Sequence, residues 1–421
     1  MTDKHHIALV GAYGRVAGQF LEAARENDCD ISFVHEPGKV PDAHRELARR
    51  VIDVDDLAGV GEVLDVVRKL HGEHPVDYIL SLTEYGVVSA ATVAETLGIH
   101  TTVPLRVAEA LRNKHRMREI LGKHPELRVR SAYCAELNQA LAAADRFGYP
   151  VIVKPDSAWG SLAVCKAEDE RMLRDAFRSV RGVNQQALVE EYLDGPEHAI
   201  VAFSSSGRHQ VIAVTGQEKL ENFVPIGHVV PGVSHEKTEE FAKVLRAFLD
   251  AVELTDGITH TEVIATSAGI RIVESHNRPG GASVAVLVEL ATGVRLGELA
   301  LLAAMGRSDL PWEPEYKGSA AIAFWNSRAG TVRSVPEFDE ETRARYVEIC
   351  LPIQPGMRVN KVLHGCDRLG YVISRGTDSE RAYAAAVELV NASPVQIDPD
   401  TQRRDPEEDV ARARRYARGR I

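Results

Sequence analysis

The sequence of 421 residues predicts a multidomain protein that combines α/β and α+β units. Its length suggests about three domains, and a hydrophobic fraction of 44% supports folded cores. A short apolar run at 7–10, a glycine turn and a helical pattern at 16–26 form the usual start of an open parallel sheet. Residues 257–281 contain two strand-forming runs joined by Thr266-Ser-Ala-Gly269, which predicts a β-hairpin.

Composition excludes several classes of protein. A formal net charge of -11 argues against a general nucleic-acid binder. The five cysteines are scattered, without CxxC spacing, so that neither a zinc site nor a disulfide framework is indicated. The first residues are polar, and no apolar run approaches the length needed to cross a bilayer. We therefore expect a cytoplasmic protein with no nucleic-acid or membrane partner.

The N-terminal segment predicts an α/β unit that closes near residue 104. Further strands are expected at 31–35, 51–54 and 78–82, with helices at 43–50 and 57–71 between them. The early glycines, Gly11, Gly14 and Gly18, do not form GxGxxG, so a dinucleotide site is the weaker alternative here.

Lys114 lies in the first turn of a predicted helix that Asn113 caps. A cation is disfavoured there by the helix dipole, and a bound anion would reverse that cost. A solvated lysine explains this feature equally well.

Residues 125–191 predict a small α+β subdomain with helices at 137–147 and 168–180. Lys154 ends an apolar strand and is followed by a loop that contains Gly160 and Ser161, a combination suited to phosphate binding although it is not a Walker loop. Glu190 and Glu191 end the next apolar strand. These two acids could also be a simple strand end.

The rest of the chain predicts further strands and helices around the hairpin. Strands are expected at 197–204, 210–215, 318–325, 330–334, 347–353, 361–365 and 370–374, and helices at 238–251, 282–291, 296–305 and 379–391. The strongly charged segment 398–421 is expected to be a solvated helix or a frayed tail.

The register of the hairpin follows from its loop. A three-residue Ser-Ala-Gly loop makes Thr266 face Ile270, and the same register sets Glu262 opposite Glu274 and His260 opposite His276. Opposed carboxylates repel unless a cation lies between them, so the pair predicts a divalent metal with an anionic ligand. A solvated face is the alternative. It is disfavoured because Arg278 and both histidines share the same face.

In this order the motifs resemble the ATP-grasp superfamily of carboxylate-amine ligases, and within it the L-amino acid ligases with dapdiamide-synthetase-like and carnosine-synthase-like enzymes. The resemblance covers nearly the whole chain and includes a GxxLGxVxxxG-like segment at 365–376. It implies a Rossmann-like domain at 1–108, an ATP-grasp domain at 109–300 with a lid subdomain at about 125–190, an α+β C-terminal domain at 301–397 and a charged tail at 398–421. A homodimer is also expected.

The resemblance further implies the roles of individual residues. ATP would be bound by Lys114, Lys154, Gly160, Ser161, the hinge Glu190-Glu191-Tyr192-Leu193 and, at the ribose, Glu197; Trp159 would belong to the closing loop. Two Mg²⁺ ions, for which Mn²⁺ could substitute, would be held by Glu262, Glu274 and Asn277. Arg278, Lys154 and His276 would be catalytic, and His228, His260, His276, Gly280 and Gly281 are candidates for substrate binding.

One position departs from the family. The usual E-x-N-x-R ending carries His276 in place of asparagine. Mg²⁺ prefers oxygen donors, so His276 is expected to bind substrate or phosphate. The second metal would then be left to a bidentate Glu274 or to Asn277, although a regular strand would turn Asn277 to the other face.

The activity implied is ATP-dependent ligation: a small carboxylate is activated as an acyl phosphate, and an amine displaces the phosphate. His276, His260, His228 and the phosphate itself are alternative bases. Other ATP-grasp chemistry, such as biotin-carboxylase-like carboxylation or ligation to a carrier protein, and an ATP-binding protein without catalysis, are the alternatives. Further pocket-lining candidates are Glu84, Tyr85, Pro231, Trp325 and Arg328.

Overall fold

The computed structural model describes residues 4–156, 160–183, 186–307 and 315–400. Four sheets organise these residues: a parallel sheet of four strands, an antiparallel lid sheet of four, a central sheet of eight and a small sheet of three. The predicted combination of α/β and α+β units is confirmed. Within the described residues, no helix is both long and apolar enough to cross a membrane.

The N-terminal unit is an open parallel sheet in the order β3-β2-β1-β4. Its elements are β1 (His6–Val10), α1 (Gly14–Glu26), β2 (Asp30–His35), α2 (Asp42–Arg45), β3 (Arg50–Asp53), α3 (Val60–Glu73), β4 (Tyr78–Leu80), α4 (Gly86–Leu97) and α5 (Leu105–Arg112). The helix expected at 43–50 is shorter than predicted, because Arg50 already pairs with Ser32 in the sheet. Helices α4 and α5 were not predicted.

A short helix leads from this unit into the lid subdomain. The elements are α6 (Lys114–Leu121), β5 (Ser131–Cys134), α7 (Leu137–Phe147), β6 (Val151–Pro155), β7 (Cys165–Ala167), α8 (Glu170–Val183) and β8 (Ala187–Glu191). The predicted cap of α6 is confirmed, since Asn113 accepts a hydrogen bond from the backbone N–H of Arg116. Strands β6 and β8 lie side by side and antiparallel in the centre of the lid sheet, and Ile152 of β6 pairs with Glu190 of β8.

The central sheet has the order β13-β12-β9-β10-β11-β14-β18-β16. Its elements are β9 (Glu197–Ser205), β10 (Arg208–Lys219), β11 (Pro225–Val230), α9 (His235–Ala251), β12 (Gly257–Thr266), β13 (Gly269–His276), α10 (Val284–Thr292), α11 (Leu296–Ala304), β14 (Ser319–Trp325), β16 (Glu348–Cys350), β18 (Gly370–Gly376) and α13 (Ser379–Ala392). Helix α9 covers one face, and α10 and α11 join the other face to α1. The sheet therefore continues past residue 300 into the C-terminal segment.

The register of the hairpin at its functional end is confirmed. His260 pairs with His276 and Glu262 with Glu274. The expected loop is wrong, because Thr266 pairs with Gly269 and not with Ile270. A β-bulge between Glu262 and Val263 absorbs the one-residue difference.

The remaining C-terminal elements form a small sheet with the order β17-β15-β19. They are β15 (Gly330–Ser334), α12 (Glu340–Ala344), β17 (Arg358–Val359), a 3₁₀ turn (Gly365–Asp367) and β19 (Gln396–Pro399). The strand expected at 361–365 is wrong: the Asp367 carboxylate accepts hydrogen bonds from the N–H groups of Leu363 and His364, which closes the chain into a turn. The strand expected at 347–353 is reduced to β16. Residues 401–421 of the predicted tail lie outside the described residues.

Candidate active site

A cavity of about 1000 Å³ lies between the lid sheet and the central sheet. This volume is at the upper end of the range usual for small-molecule sites. Ten of the predicted residues line it: Lys114, Lys154, Ser161, Glu190, Glu191, Tyr192, Leu193, Glu197, Glu262 and Glu274. Segments separated by as many as 160 positions are thus brought to one cavity.

Lys154 is held on the cavity wall by a buried carboxylate. Its Nζ lies 2.7 Å from Oε2 of Glu190, and both side chains are only 5% exposed. Burial lowers the pKa of Lys154, while the Glu190 charge opposes that change. Burial would raise the pKa of Glu190, but the charges of Arg118 and Lys154 outweigh it and lower the pKa to about 2. The glutamate that was expected at the adenine hinge therefore orients Lys154 with its side chain.

Arg118 was missed by the sequence analysis. Its Nε donates to Glu190 Oε1 at 2.6 Å, and its Nη atoms donate to the carbonyls of Ile272 and Val273 at 3.0 and 2.9 Å. One guanidinium thus ties the lid strand β8 to β13 beside Glu274. The available signal was spacing: Arg118 follows Lys114 by four residues and shares its helix face.

The opposed carboxylates of Glu262 and Glu274 are surrounded by cations and histidines. Lys114 Nζ lies 2.6 Å from Glu274, and His260 Nε2 lies 3.8 Å from Glu262. Burial would raise the pKa of Glu274, but Lys114 and His276 hold it well below its usual range. Both carboxylates are therefore charged, as a cation site requires.

These residues fit a magnesium ion that a nucleotide brings with it. In the described part of the chain, no three His, Cys, Asp or Glu side chains converge as a ready-made metal cage. Mg²⁺ usually takes one or two carboxylates and completes its coordination with phosphates and water. Strand β13 ends at His276, so strand alternation does not fix the direction of Asn277. The Asn277 amide is buried and its oxygen and nitrogen have no hydrogen-bond partner among the described residues.

Glu197 forms a second buried pair with Lys219, which the sequence analysis did not identify. Burial, reinforced by the neighbouring Glu262, raises the pKa of Glu197 to about 7 although Lys219 acts in the opposite direction. Strand alternation could not have identified Lys219, because the register of β10 shifts between Glu218 and Lys219 and both of these residues line the cavity.

The hinge and loop residues have other partners. The Glu191 carboxylate accepts hydrogen bonds from the N–H and Nε of Arg130, and the Glu191 N–H donates to the Arg130 carbonyl at 3.0 Å. Ser161 Oγ donates to the Phe223 carbonyl at 2.8 Å. Gly160 has a φ of +65° and abuts His364, so close that a Cβ would lie 2.2 Å from its Nε2. Trp159 lies outside the described residues.

A second cluster lies beside the carboxylates, outside the residues that line the cavity. Glu84 Oε2 is 2.7 Å from Arg278 Nε and 2.9 Å from His276 Nδ1, and His276 Nε2 is 3.4 Å from Glu274. Burial opposes a positive charge on His276, but Glu84 raises its pKa. Gly280 packs on the His260 ring, where a Cβ would lie 2.5 Å from Nδ1.

The other candidates for substrate binding lie in different parts of the structure. His228 is buried on β11, and neither ring nitrogen has a hydrogen-bond partner among the described residues. Gly281 accepts a hydrogen bond from the N–H of Val284 at the start of α10. Trp325 is not at the site, because it packs on Phe338 and donates to the Ser393 carbonyl. Arg328 is exposed and donates to the Ile397 carbonyl, and Pro231 lines a separate open groove.

Three family models match successive parts of the chain. They are the ATP-grasp N-terminal domain at residues 21–101, the ATP-grasp domain at 147–285 and the L-amino acid ligase C-terminal domain 2 at 324–397. The chain belongs to the ATP-grasp superfamily. The matches follow one another in the order expected for an ATP-grasp fold. The ATP-grasp fold that the sequence predicts is therefore confirmed.

Two relatives of this ATP-grasp protein are amino-acid ligases. An L-arginine-specific L-amino acid ligase of Bacillus subtilis is 23% identical over 80% of this chain and 84% of its own length. An alanine–anticapsin ligase of the same species is 23% identical over 57% of this chain and 56% of its own length. The predicted class is confirmed: this ATP-grasp protein is an ATP-dependent carboxylate–amine ligase.

Solved structures show the same fold. The L-amino acid ligase of Bacillus licheniformis superposes with a TM-score of 0.80 at 21% identity, covering 94% of this chain and all of that one. The biotin carboxylase domain of a Hydrogenobacter thermophilus 2-oxoglutarate carboxylase, in complex with MgADP, ADP and bicarbonate, gives a TM-score of 0.69 at 15% identity, covering 93% and 90%. ATP and Mg²⁺ are the general cofactors of the superfamily.

Proposed function

We propose that this ATP-grasp ligase activates the carboxylate of an L-amino acid or related small acid as an acyl phosphate and joins it to the amine of a second amino acid. The observation that carries the proposal is the position of Glu262 and Glu274, at the junction between the nucleotide-sized cavity and the cluster of His276 and Arg278. A phosphoryl group placed there would contact both. The amino-acid class is supported by the relatives, whose names specify arginine or alanine.

ATP would occupy the cavity with its base against the β8 hinge. Main-chain groups of Glu191 and Leu193 would read the base edge, and Glu197 would bind the ribose. Lys114 and Lys154 would contact the phosphates, with Gly160 and Ser161 on the covering loop. Both lysines are pre-oriented by carboxylates at 2.6 and 2.7 Å, which limits the entropy lost on binding.

Glu262 and Glu274, with Asn277, would hold Mg²⁺, and we propose two ions with Mn²⁺ as a substitute. When bound, the metal would offset phosphate charge during transfer. Lys114 contacts Glu274 directly, so this lysine and a bound metal would share one carboxylate. The same contact links the helix start at α6 to the transfer site.

The chemistry proceeds in two displacements. A substrate carboxylate oxygen forms a bond to the γ-phosphorus while the bond to the bridging oxygen of ADP breaks. The amine nitrogen then bonds to the acyl carbon, and the carbon–oxygen bond to phosphate breaks. Arg278 would offset charge on the transferred group, and the lid would exclude water, which hydrolyses acyl phosphates. The amine proton would pass to a histidine base or to the released phosphate.

Among the candidate bases, the histidines differ in their surroundings. His276 lies between two carboxylates, a position that favours a cation and makes it a poor proton acceptor. Burial lowers the pKa of both His228 and His260, so these two rings are neutral at pH 7, but the same shift makes them weak proton acceptors. His260 contacts Glu262, and His228 has no described hydrogen-bond partner.

The experiment is incubation of the full chain with Mg-ATP and pairs of L-amino acids, with ADP measured enzymatically and dipeptide by mass spectrometry. ADP and a dipeptide formed in equal amounts support the proposal. ADP release that requires bicarbonate, or product formed only on a carrier protein, would replace it with another ATP-grasp reaction. ATP binding without turnover over the whole panel would refute it.

We also propose, from the family alone, that the enzyme is a cytoplasmic homodimer. Size-exclusion chromatography with light scattering tests the assembly. A monomer at micromolar concentration would contradict this part of the proposal.

A further inference from the structure

Glu84 lies on the loop that follows β4 and reaches from the N-terminal unit to the end of β13. Its side chain is 9% exposed. Oxygen Oε2 is shared by Arg278 Nε at 2.7 Å and His276 Nδ1 at 2.9 Å, and Oε1 lies 3.4 Å from Arg112 Nε. One carboxylate thus faces three cationic groups from two different parts of the chain.

The loop that carries Glu84 is held firmly. The N–H of Thr83 donates to Ser81 Oγ at 3.1 Å, and the N–H of Gly86 donates to Thr83 Oγ1 at 3.1 Å. Gly86 abuts the sheet so closely that a Cβ would lie 2.5 Å from the Val10 carbonyl oxygen. The carboxylate is therefore presented from a fixed backbone position and not from a flexible segment.

The contacts orient the two residues that face the reacting groups. His276 lies between two carboxylates, with Nδ1 2.9 Å from Glu84 and Nε2 3.4 Å from Glu274; the Nδ1 contact is an ion-pair distance without the angle of a hydrogen bond. The guanidinium of Arg278 is fixed twice, by Glu84 and by the Pro279 carbonyl at 2.9 Å. An asparagine at position 276, as in the usual family ending, is neutral and has no ring nitrogen to direct. The histidine of this chain therefore needs the carboxylate where asparagine does not.

We propose that Glu84 is a positioning residue of the ligase reaction, contributed by the N-terminal unit to hold His276 and Arg278 in their working orientation. It acts through these two residues and does not contact the reacting atoms. The inference rests on the proposed function, because its effect is measured on the transfer step. It predicts that Glu84 and His276 act as one unit.

The test compares Glu84→Gln, His276→Asn and the double variant in the full-length protein. In Glu84→Gln the amide loses the charge and turns an N–H toward a guanidinium, so we expect kcat to fall about 100-fold through misplacement of the catalytic groups. KM for ATP should change less than about 2-fold, because the cavity residues are untouched. The double variant should lose less than the product of the two single losses, since residues that act as a unit are not additive, and its remaining loss relative to His276→Asn reports on Arg278.

Glu289→Gln is the matched control. Glu289 also joins the N-terminal unit to the central sheet layer, by accepting from Arg15 and Gln19, and it lies away from the site. If Glu84 merely docks the N-terminal unit, both variants should lose activity alike and the double-variant effects should add. That result would overturn the inference.

Two further readouts keep the test decisive. Circular dichroism and calorimetric binding of Mg-ADP should be unchanged in Glu84→Gln, and Glu84→Asp, which keeps the charge, should recover part of kcat. If Glu84→Gln does not fold, Glu84→Asp decides the test. A kcat of Glu84→Asp equal to that of wild type would refute the positioning role of Glu84. If wild type itself makes no ADP with any substrate pair, the proposed function has failed and not this inference.

Discussion

The ammonium group of Lys114 lies 2.6 Å from a carboxylate oxygen of Glu274 and is the cation nearest to the opposed glutamates of the hairpin. Two charged carboxylates face each other there, and the lysine offsets part of their repulsion. Removal of one member of a buried pair typically costs about 3–5 kcal/mol. We expect Lys114→Met to lower the unfolding free energy by about that amount, measured by urea denaturation.

The control for this prediction is Lys69→Met, which removes an exposed lysine of α3 and should change stability by less than about 0.5 kcal/mol. Mg-ADP should restore part of the stability of Lys114→Met, because a metal supplies the missing positive charge. Equal stability of Lys114→Met and wild type would contradict the contact.

Glu274→Gln and Arg278→Ala should each abolish turnover while the fold stays intact. Both act where charge develops during phosphoryl transfer, so a loss of at least about 1000-fold in kcat is expected. The measurement is ADP release under saturating Mg-ATP, with circular dichroism as the check on folding. Full activity of either variant would remove the hairpin from the mechanism.

Arg118→Ala should be the most destabilising single change of an arginine near the cavity. It leaves the Glu190 carboxylate buried with Lys154 alone and frees two carbonyls of β13. A loss of about 3–5 kcal/mol is expected. Arg130→Ala, which breaks the half-exposed pair with Glu191, should cost at most about 1 kcal/mol. Similar losses in the two variants would refute the structural role of Arg118.

Stability should fall with pH below about 8 in part through His228. Burial and the nearby charges of Arg368 and His260, opposed by Glu262, lower its pKa to about 3, with Lys219 adding to the effect. The unfolded side chain, with a pKa of about 6.5, takes up the proton first, so acid favours unfolding. Between pH 8 and pH 6 the loss is about 0.8 kcal/mol. His228→Phe should flatten the measured pH dependence by this amount, and an unchanged slope would disprove it.

The sequence predicted side-chain positions best where a characteristic residue type occurs at the regular spacing of a strand or at the end of a helix. The opposition of Glu262 and Glu274 follows from strand alternation, and Asn113 as a helix cap follows from its side chain. Arg118 and Glu84 were harder to assign, because their roles depend on partners 72 to 194 residues away along the chain. The strand expected at 361–365 was wrong because the N–H groups of Leu363 and His364 donate to a side chain, that of Asp367, and not to a neighbouring strand.

The central sheet passes without a break from β11 to β14 and β18, across the domain boundary near residue 300 that the family resemblance implied. A chain shortened at that point would leave β11 with a row of unpaired backbone groups and would uncover the apolar surface beneath α10. Such edges bind other strands readily. Expression of the ATP-binding half alone should therefore yield aggregates, and the C-terminal segment should be kept in any shortened version of the enzyme.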